Sequence, residues 1–112
     1  LAVFNLFTHN RDDHAKNFSY LLDESNNWRF APAYDLTFSF GPGGEHSTTY
    51  LGEGKNPTKK HLEELAKKYG IKEYRRIIDE IYSVVSNFKK YASDVELSQK
   101  YSDEIYAQFV EI

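Results

Sequence analysis

The chain contains neither cysteine nor methionine. Without cysteine there is no disulfide framework and no thiolate metal site, and the redox compartment stays open. Without either sulfur residue the core must be filled by aliphatic and aromatic side chains, and the chain offers nine Tyr and eight Phe. No apolar run approaches the roughly 20 residues that span a bilayer, and the start carries no signal-peptide pattern. Cationic excess is also lacking: 14 Lys and Arg stand against 17 Asp and Glu, a formal charge of −3. That argues against direct nucleic-acid binding by electrostatic capture. There is no internal repeat and no low-complexity tract. The 112 residues, 40% of them apolar, suffice for one small domain with its own core. Residues 1–112 are read as that domain.

What the chain does have is a polar stretch between two apolar ones. Residues 8–17 read Thr-His-Asn-Arg-Asp-Asp-His-Ala-Lys-Asn. Leu1 to Phe7 precedes them and Phe18 to Leu22 follows. Dense polar chemistry between buried-looking segments is the pattern of a site on a rigid scaffold. A second polar point, Tyr34-Asp35, lies in Ala31-Pro32-Ala33-Tyr34-Asp35-Leu36.

Periodicity and punctuation give the elements. Leu1 to Phe7 is read as a helix end, with Thr8-His9-Asn10 as polar terminators, and residues 8–16 as a loop. Asn17–Asp23 and Trp28–Ala33 are expected to pair as a hairpin across the turn cluster 23–27. Gly41-Pro42-Gly43-Gly44 marks a mobile loop, and residues 48–51 could form a short strand. Three helices are expected after residue 56. The first has Asn56 as cap, Pro57 at its first position, an inward face of Leu62, Leu65, Ala66 and Tyr69, and Gly70 just past its end. The second runs from Lys72 to Tyr91, with apolar residues at spacings of three and four. The third starts near Leu97, with Tyr101, Ile105 and Phe109 inward. The fold class is therefore mainly α, with a small antiparallel β-hairpin beside the polar loop.

Asp12 precedes Asn17 by five positions. In protein kinase catalytic loops an Asp and an Asn stand at that separation. The Asp accepts the proton of the attacking hydroxyl, and the Asn carbonyl oxygen binds magnesium. A later Asp at the end of a hairpin strand binds the bridging magnesium, and Asp35 fits that description. Magnesium wants oxygen ligands, which a carboxylate and an amide carbonyl supply. The pair alone is unspecific, and a solvated loop whose side chains cap backbone groups would also explain it. There is no His-Arg-Asp and no Asp-Phe-Gly.

The run Asp12-Asp13-His14-Ala15-Lys16-Asn17-Phe18-Ser19, followed by Ala31-Pro32-Ala33-Tyr34-Asp35-Leu36, resembles the C-terminal domain of the HipA-like kinases, toxins of bacterial toxin–antitoxin modules. Gly44-Glu45-His46 and Gly52-Glu53-Gly54-Lys55-Asn56-Pro57 are also similar to family segments. The resemblance covers about the first two-thirds of the chain. It implies a kinase-like C-terminal lobe of a serine/threonine protein kinase, with ATP as substrate and magnesium as cofactor. It implies Asp12 as catalytic base, Asn17 and Asp35 as metal ligands, and His14 and Lys16 as phosphate-side contacts. It further implies a cytoplasmic protein, a protein substrate in the translation machinery such as an aminoacyl-tRNA synthetase, and an antitoxin partner. Family members carry an N-terminal lobe with the phosphate-covering loop and an ATP-positioning lysine, which this sequence lacks. Leu1 is not Met, and the chain is expected to be the C-terminal part of a longer protein, inactive by itself.

Two other readings stand beside this one. In the first, the fold is a non-catalytic module that docks a partner such as an antitoxin. In the second, His9, Asp12, Asp13 and His14 form a metal hydrolase site. His9 and His46 are read as ordinary surface or loop histidines. Asp13 is read as the neighbour whose replacement by Asn is mild.

Overall fold

A computed structural model describes residues 1–110 of the chain. Among them are five α-helices and one two-stranded antiparallel sheet. The mainly helical class with one small hairpin is as the sequence predicts.

Helix α1 (Ala2–Phe7) buries Leu6 and Phe7 completely. It ends as the polar terminators suggest. Asn10 N–H reaches back to the Asn5 carbonyl at 2.9 Å and His9 N–H to that of Leu6 at 3.3 Å, the paired bonds of a Schellman ending. His9 occupies the left-handed position at φ 56°, where glycine or asparagine is usual.

The hairpin joins β1 (Tyr20–Leu22) to β2 (Trp28–Phe30), with Tyr20 opposite Phe30 and Leu22 opposite Trp28. Asp23 builds the turn. Its Oδ1 accepts from the N–H groups of Ser25 and Asn27, and its Oδ2 accepts from Arg29 Nε, each at 2.9 Å. These bonds to the ionised form hold the Asp23 carboxyl below its ordinary pKa. Both strands are shorter than expected, and β1 starts late because Ala15–Asn17 closes into a 3-10 turn. Every residue of both strands is exposed. The apolar runs at 18–22 and 28–30 therefore build the hairpin and not the core.

Residues 41–44 are not a free loop. Arg11 Nη1 donates to the Gly44 carbonyl, and Pro42–Gly44 forms a short 3-10 turn. Gly41 is required there: its φ is 72°, and a Cβ would lie 2.2 Å from the Glu45 carbonyl oxygen and 2.7 Å from Arg11 Cβ. At residues 48–51 only an isolated bridge forms, Tyr50 to Glu53.

Helix α2 (Lys59–Lys68) begins two residues later than Asn56 and Pro57 suggest. Thr58 is its N-cap, and Thr58 N–H donates to His61 Nδ1 at 3.1 Å, so a histidine fills the place usually held by Glu or Gln. Leu62 and Ala66 are buried, whereas Tyr69 is 68% exposed at the end of its turn. Gly70, at φ 68°, terminates the helix as expected.

The second expected helix is two, α3 (Tyr74–Val85) and α4 (Phe88–Asp94). At the break, Ser86 Oγ donates to the Tyr82 carbonyl at 2.7 Å and Asn87 Nδ2 to the Ser83 carbonyl at 2.8 Å. Such side chains compete with the backbone for helical carbonyls, a local effect that apolar periodicity does not register. Helix α5 (Gln99–Tyr106) starts at Ser98, whose Oγ caps Tyr101 N–H. Ser102 is buried and Ile105 half-buried, as expected for the latter, but Tyr101 is exposed, so the expected inward face fails at Tyr101. Phe109 does pack inward, as expected, against the core and the Phe88 ring.

The core joins α1 to α2 and α3 through Leu6, Phe7, Tyr50, Leu62, Ile78 and Val85. Phe7 meets Tyr82 edge-on at 5.3 Å. No helix among the described residues is long and apolar enough to cross a membrane.

Candidate functional site

The polar loop leaves α1 through His9 and is fastened from both sides. Arg11 N–H donates to the Ser39 carbonyl at 3.3 Å, and Ser39 N–H returns to the His9 carbonyl at 3.1 Å. Ser47 N–H holds the Arg11 carbonyl at 3.1 Å. The side chains then part to two sides. Arg11 and Asp13 turn toward residues 44–55, while Asp12 and His14 remain about half exposed.

On the exposed side the hairpin returns the chain to the loop. Ala31 N–H donates to the Ser19 carbonyl at 2.8 Å. The Tyr34 hydroxyl donates to the Lys16 carbonyl at 2.6 Å and shares a 2.7 Å hydrogen bond with Ser19 Oγ. That clamp sets Asp35 against Asn17. Asn17 Nδ2 donates to Asp35 Oδ2 at 3.1 Å and to the Asp12 backbone carbonyl at 2.9 Å. Asp35 holds a left-handed backbone at φ 53°, a sparsely populated state of the kind found at functional sites. Tyr34, read from sequence only as part of a polar point, is the residue that fixes the geometry.

Of the five residues singled out in the sequence, Asn17 and Asp35 are brought into direct contact, and Asp12 is tied to Asn17 through its main chain. The Asp12 carboxylate lies 3.7 Å from His14 Nε2. His14 Nδ1 is buried without a partner. Lys16 is exposed, and its carbonyl is the part engaged. Oxygen atoms on half-exposed Asn17 and exposed Asp35 suit a hard divalent cation, which binds oxygen and retains water.

Asp13 is the residue whose role the sequence misjudged. It is 2% exposed, and its Oδ2 lies 2.9 Å from His46 Nδ1. Its Oδ1 accepts from Thr48 N–H at 3.0 Å, and its carbonyl accepts from the Thr48 hydroxyl. The pair sits against the Tyr50 ring, 5.2 Å from His46. Burial and the Asp13 charge push the Tyr50 phenol above its ordinary pKa. His46 is thus a buried structural partner and not a surface histidine. The only sequence signal for it was an acid beside the base position. This division also speaks against the hydrolase reading: Asp13 turns to His46, away from the Asp12–His14 contact, and no cluster of three or more His, Asp or Glu that could hold a metal ion forms among the described residues.

His9 is likewise buried, its ring lying against Phe38 and Phe40. Burial, then the charges of Arg11 and His46, lower its pKa from 6.5 to about 4. The folded protein therefore resists protonating His9, whereas the unfolded chain does not. Stability from this group is full above pH 6.5 and is lost as pH falls from 6.5 through about 4. Thermal unfolding followed across that interval should show a fall for the wild type. The fall should be smaller for His9→Asn, a residue that accepts the left-handed backbone. Parallel profiles would show that His9 does not titrate this way.

The family model of the HipA-like C-terminal domain matches residues 1–88, which contain α1, the polar loop, the hairpin, Asp35, α2 and α3. Neither the curated proteins nor the solved structures give a match.

Proposed function

Because the chain belongs to the family of HipA-like C-terminal domains, we propose that it carries the catalytic loop of an ATP- and magnesium-dependent serine/threonine protein kinase. The observation that carries this reading is the contact between Asn17 and Asp35, 18 residues apart in sequence, with Asp12 tied to the same amide. Carboxylate, amide and base in that arrangement are the parts of a phosphoryl-transfer site.

In this mechanism Asp12 orients a substrate hydroxyl and accepts its proton as the oxygen attacks the γ-phosphate. Its carboxylate is open to solvent on one side, where a peptide can approach. Asn17 and Asp35 would hold magnesium, which when bound neutralises charge on the phosphate oxygens. Tyr34 keeps Asp35 in register with Asn17. His14 and Lys16 lie on the same short stretch and are assigned to the phosphate side of the site. The wider reading places the kinase in a toxin–antitoxin module of the cytoplasm. Its protein target would lie in the translation machinery, such as an aminoacyl-tRNA synthetase, and an antitoxin would be its partner.

A second reading, a docking module, draws on one observation. The hairpin exposes Tyr20, Leu22, Trp28 and Phe30 on one face, more clustered apolar surface than scattered exposed residues give. Nucleotide titration of the longer protein that carries the phosphate-covering lobe, with and without magnesium, separates the two readings. Magnesium-dependent binding that is weakened in Asp35→Asn supports the kinase. Absence of nucleotide binding in a preparation that also fails to transfer labelled phosphate from ATP favours the module.

A further inference from the structure

Behind the Asp12 loop lies a polar pocket of about 430 Å³, lined among others by His9, Arg11, His46, Asn56, Thr58 and Gln108. One guanidinium, that of Arg11, meets the rings of His9 and His46 here, and among the described residues no carboxylate lines the pocket. Arg11 is held by two carbonyl oxygens, those of Gly44 and Lys55, so among the described residues its charge is solvated by dipoles and not neutralised. Its Nε is buried without a partner, and so is His9 Nδ1. His9 as a whole is only 7% exposed. His46 has its Nδ1 engaged by Asp13, which leaves Nε2 as its remaining polar atom. Thr58 is the N-cap of α2, so the positive end of that helix adds to the same potential.

Buried polar nitrogens are nearly always paired, and two orphans on residues that line one pocket beside a guanidinium call for a ligand. A cation is excluded by Arg11, and a neutral ligand would leave the guanidinium charge uncompensated. We propose that the pocket formed by His9, Arg11 and His46 at the start of α2 binds a small phosphate-class oxyanion. The group is either free phosphate or the phosphoryl group of a phosphorylated side chain. Its consequence is mechanical. Arg11 directly precedes Asp12 and already ties residues 44 and 55 to the loop, so an anion there would brace the base from behind. The proposal is independent of the kinase reading, because it uses neither Asn17 nor Asp35.

The four histidines make the test direct. The ring signals of His9, His14, His46 and His61 are followed by NMR while inorganic phosphate is added at constant pH and ionic strength. A chelator is present, so that metal-bound phosphate at Asn17 and Asp35 does not contribute. Saturable shifts at His9 and His46, with His14 still, are the expected result. His9→Asn and Arg11→Gln should each weaken binding by about tenfold or more, the loss of one hydrogen bond to a charged group. His9→Asn keeps the left-handed backbone, so the test stands even where Arg11→Gln fails to fold. A parallel titration with O-phosphoserine separates the sources. Tighter binding than phosphate assigns a phosphorylated side chain, and equal or weaker binding assigns the free anion. Shifts confined to His14, a common non-saturating drift of all four rings, or unchanged affinity in His9→Asn would overturn the proposal.

Discussion

Asp12→Asn is expected to lower phosphate transfer by the catalytically competent protein by ~10²- to 10⁴-fold, the usual contribution of a positioned general base. The fold should be unaffected. The bond that fixes this residue to Asn17 uses its backbone carbonyl, which the substitution keeps. The carboxylate lies 3.7 Å from the His14 ring, and both side chains are over 40% exposed, so that contact contributes little to stability. Asn is nearly isosteric but cannot accept the hydroxyl proton. Nucleotide binding should therefore persist while transfer is lost. Asp35→Asn is expected to be at least as damaging and to differ in kind. Asn tolerates the left-handed backbone at φ 53°, so the loss is of one negative charge at the metal position. Nucleotide binding should weaken together with transfer. Labelled-ATP transfer and nucleotide titration on the two variants decide the matter, and full activity of Asp12→Asn would end its assignment as base.

Asp13→Ala is expected to be the most destabilising change in the loop. Its side chain and that of His46 are each 1% exposed. Removing the carboxylate orphans His46 Nδ1 and the Thr48 N–H together. Breaking a buried pair from one side costs about 3–5 kcal/mol, enough to move the melting temperature by roughly 10 °C or more in a chain of this size. Asp13→Asn should cost less, because the amide oxygen can still accept from Thr48 while the ring bond to His46 must reorganise. Thermal melts of the two variants, with His46→Leu as the reciprocal change, measure the pair. A double mutant no worse than either single would show that the two residues act as a unit. Asp12→Asn, one position away, should melt like the wild type. Equal melting of all these proteins would mean that the pair does not hold the loop.

Some of this was legible in the sequence. The Asp12–Asn17 spacing, the turn cluster at 23–27 and Asp35 past a predicted strand were enough to anticipate a hairpin that returns to the loop. Hairpin pairing is a local consequence of turn chemistry, so it survives without knowledge of the rest of the fold. Gly70 was legible for a similar reason: a left-handed helix ending selects glycine whatever surrounds it. The break at Ser86-Asn87 was not, because apolar spacing carries through it and only the side-chain bonds to Tyr82 and Ser83 interrupt the helix. Tyr101 was placed on the wrong face because its spacing to Ile105 and Phe109 ignores how α5 packs on α4.

The sequence by itself determined the residue types at the site, their order, the family resemblance and the existence of most elements. These follow from short-range spacing and backbone chemistry. Only the tertiary structure decided which of two adjacent acids faces solvent. Asp12 and Asp13 are chemically identical in the chain. Asp13 is buried because His46 and Thr48, more than 30 positions away, supply the ring nitrogen and the backbone N–H that a desolvated carboxylate requires. No local pattern around residue 13 encodes partners brought in by long-range folding.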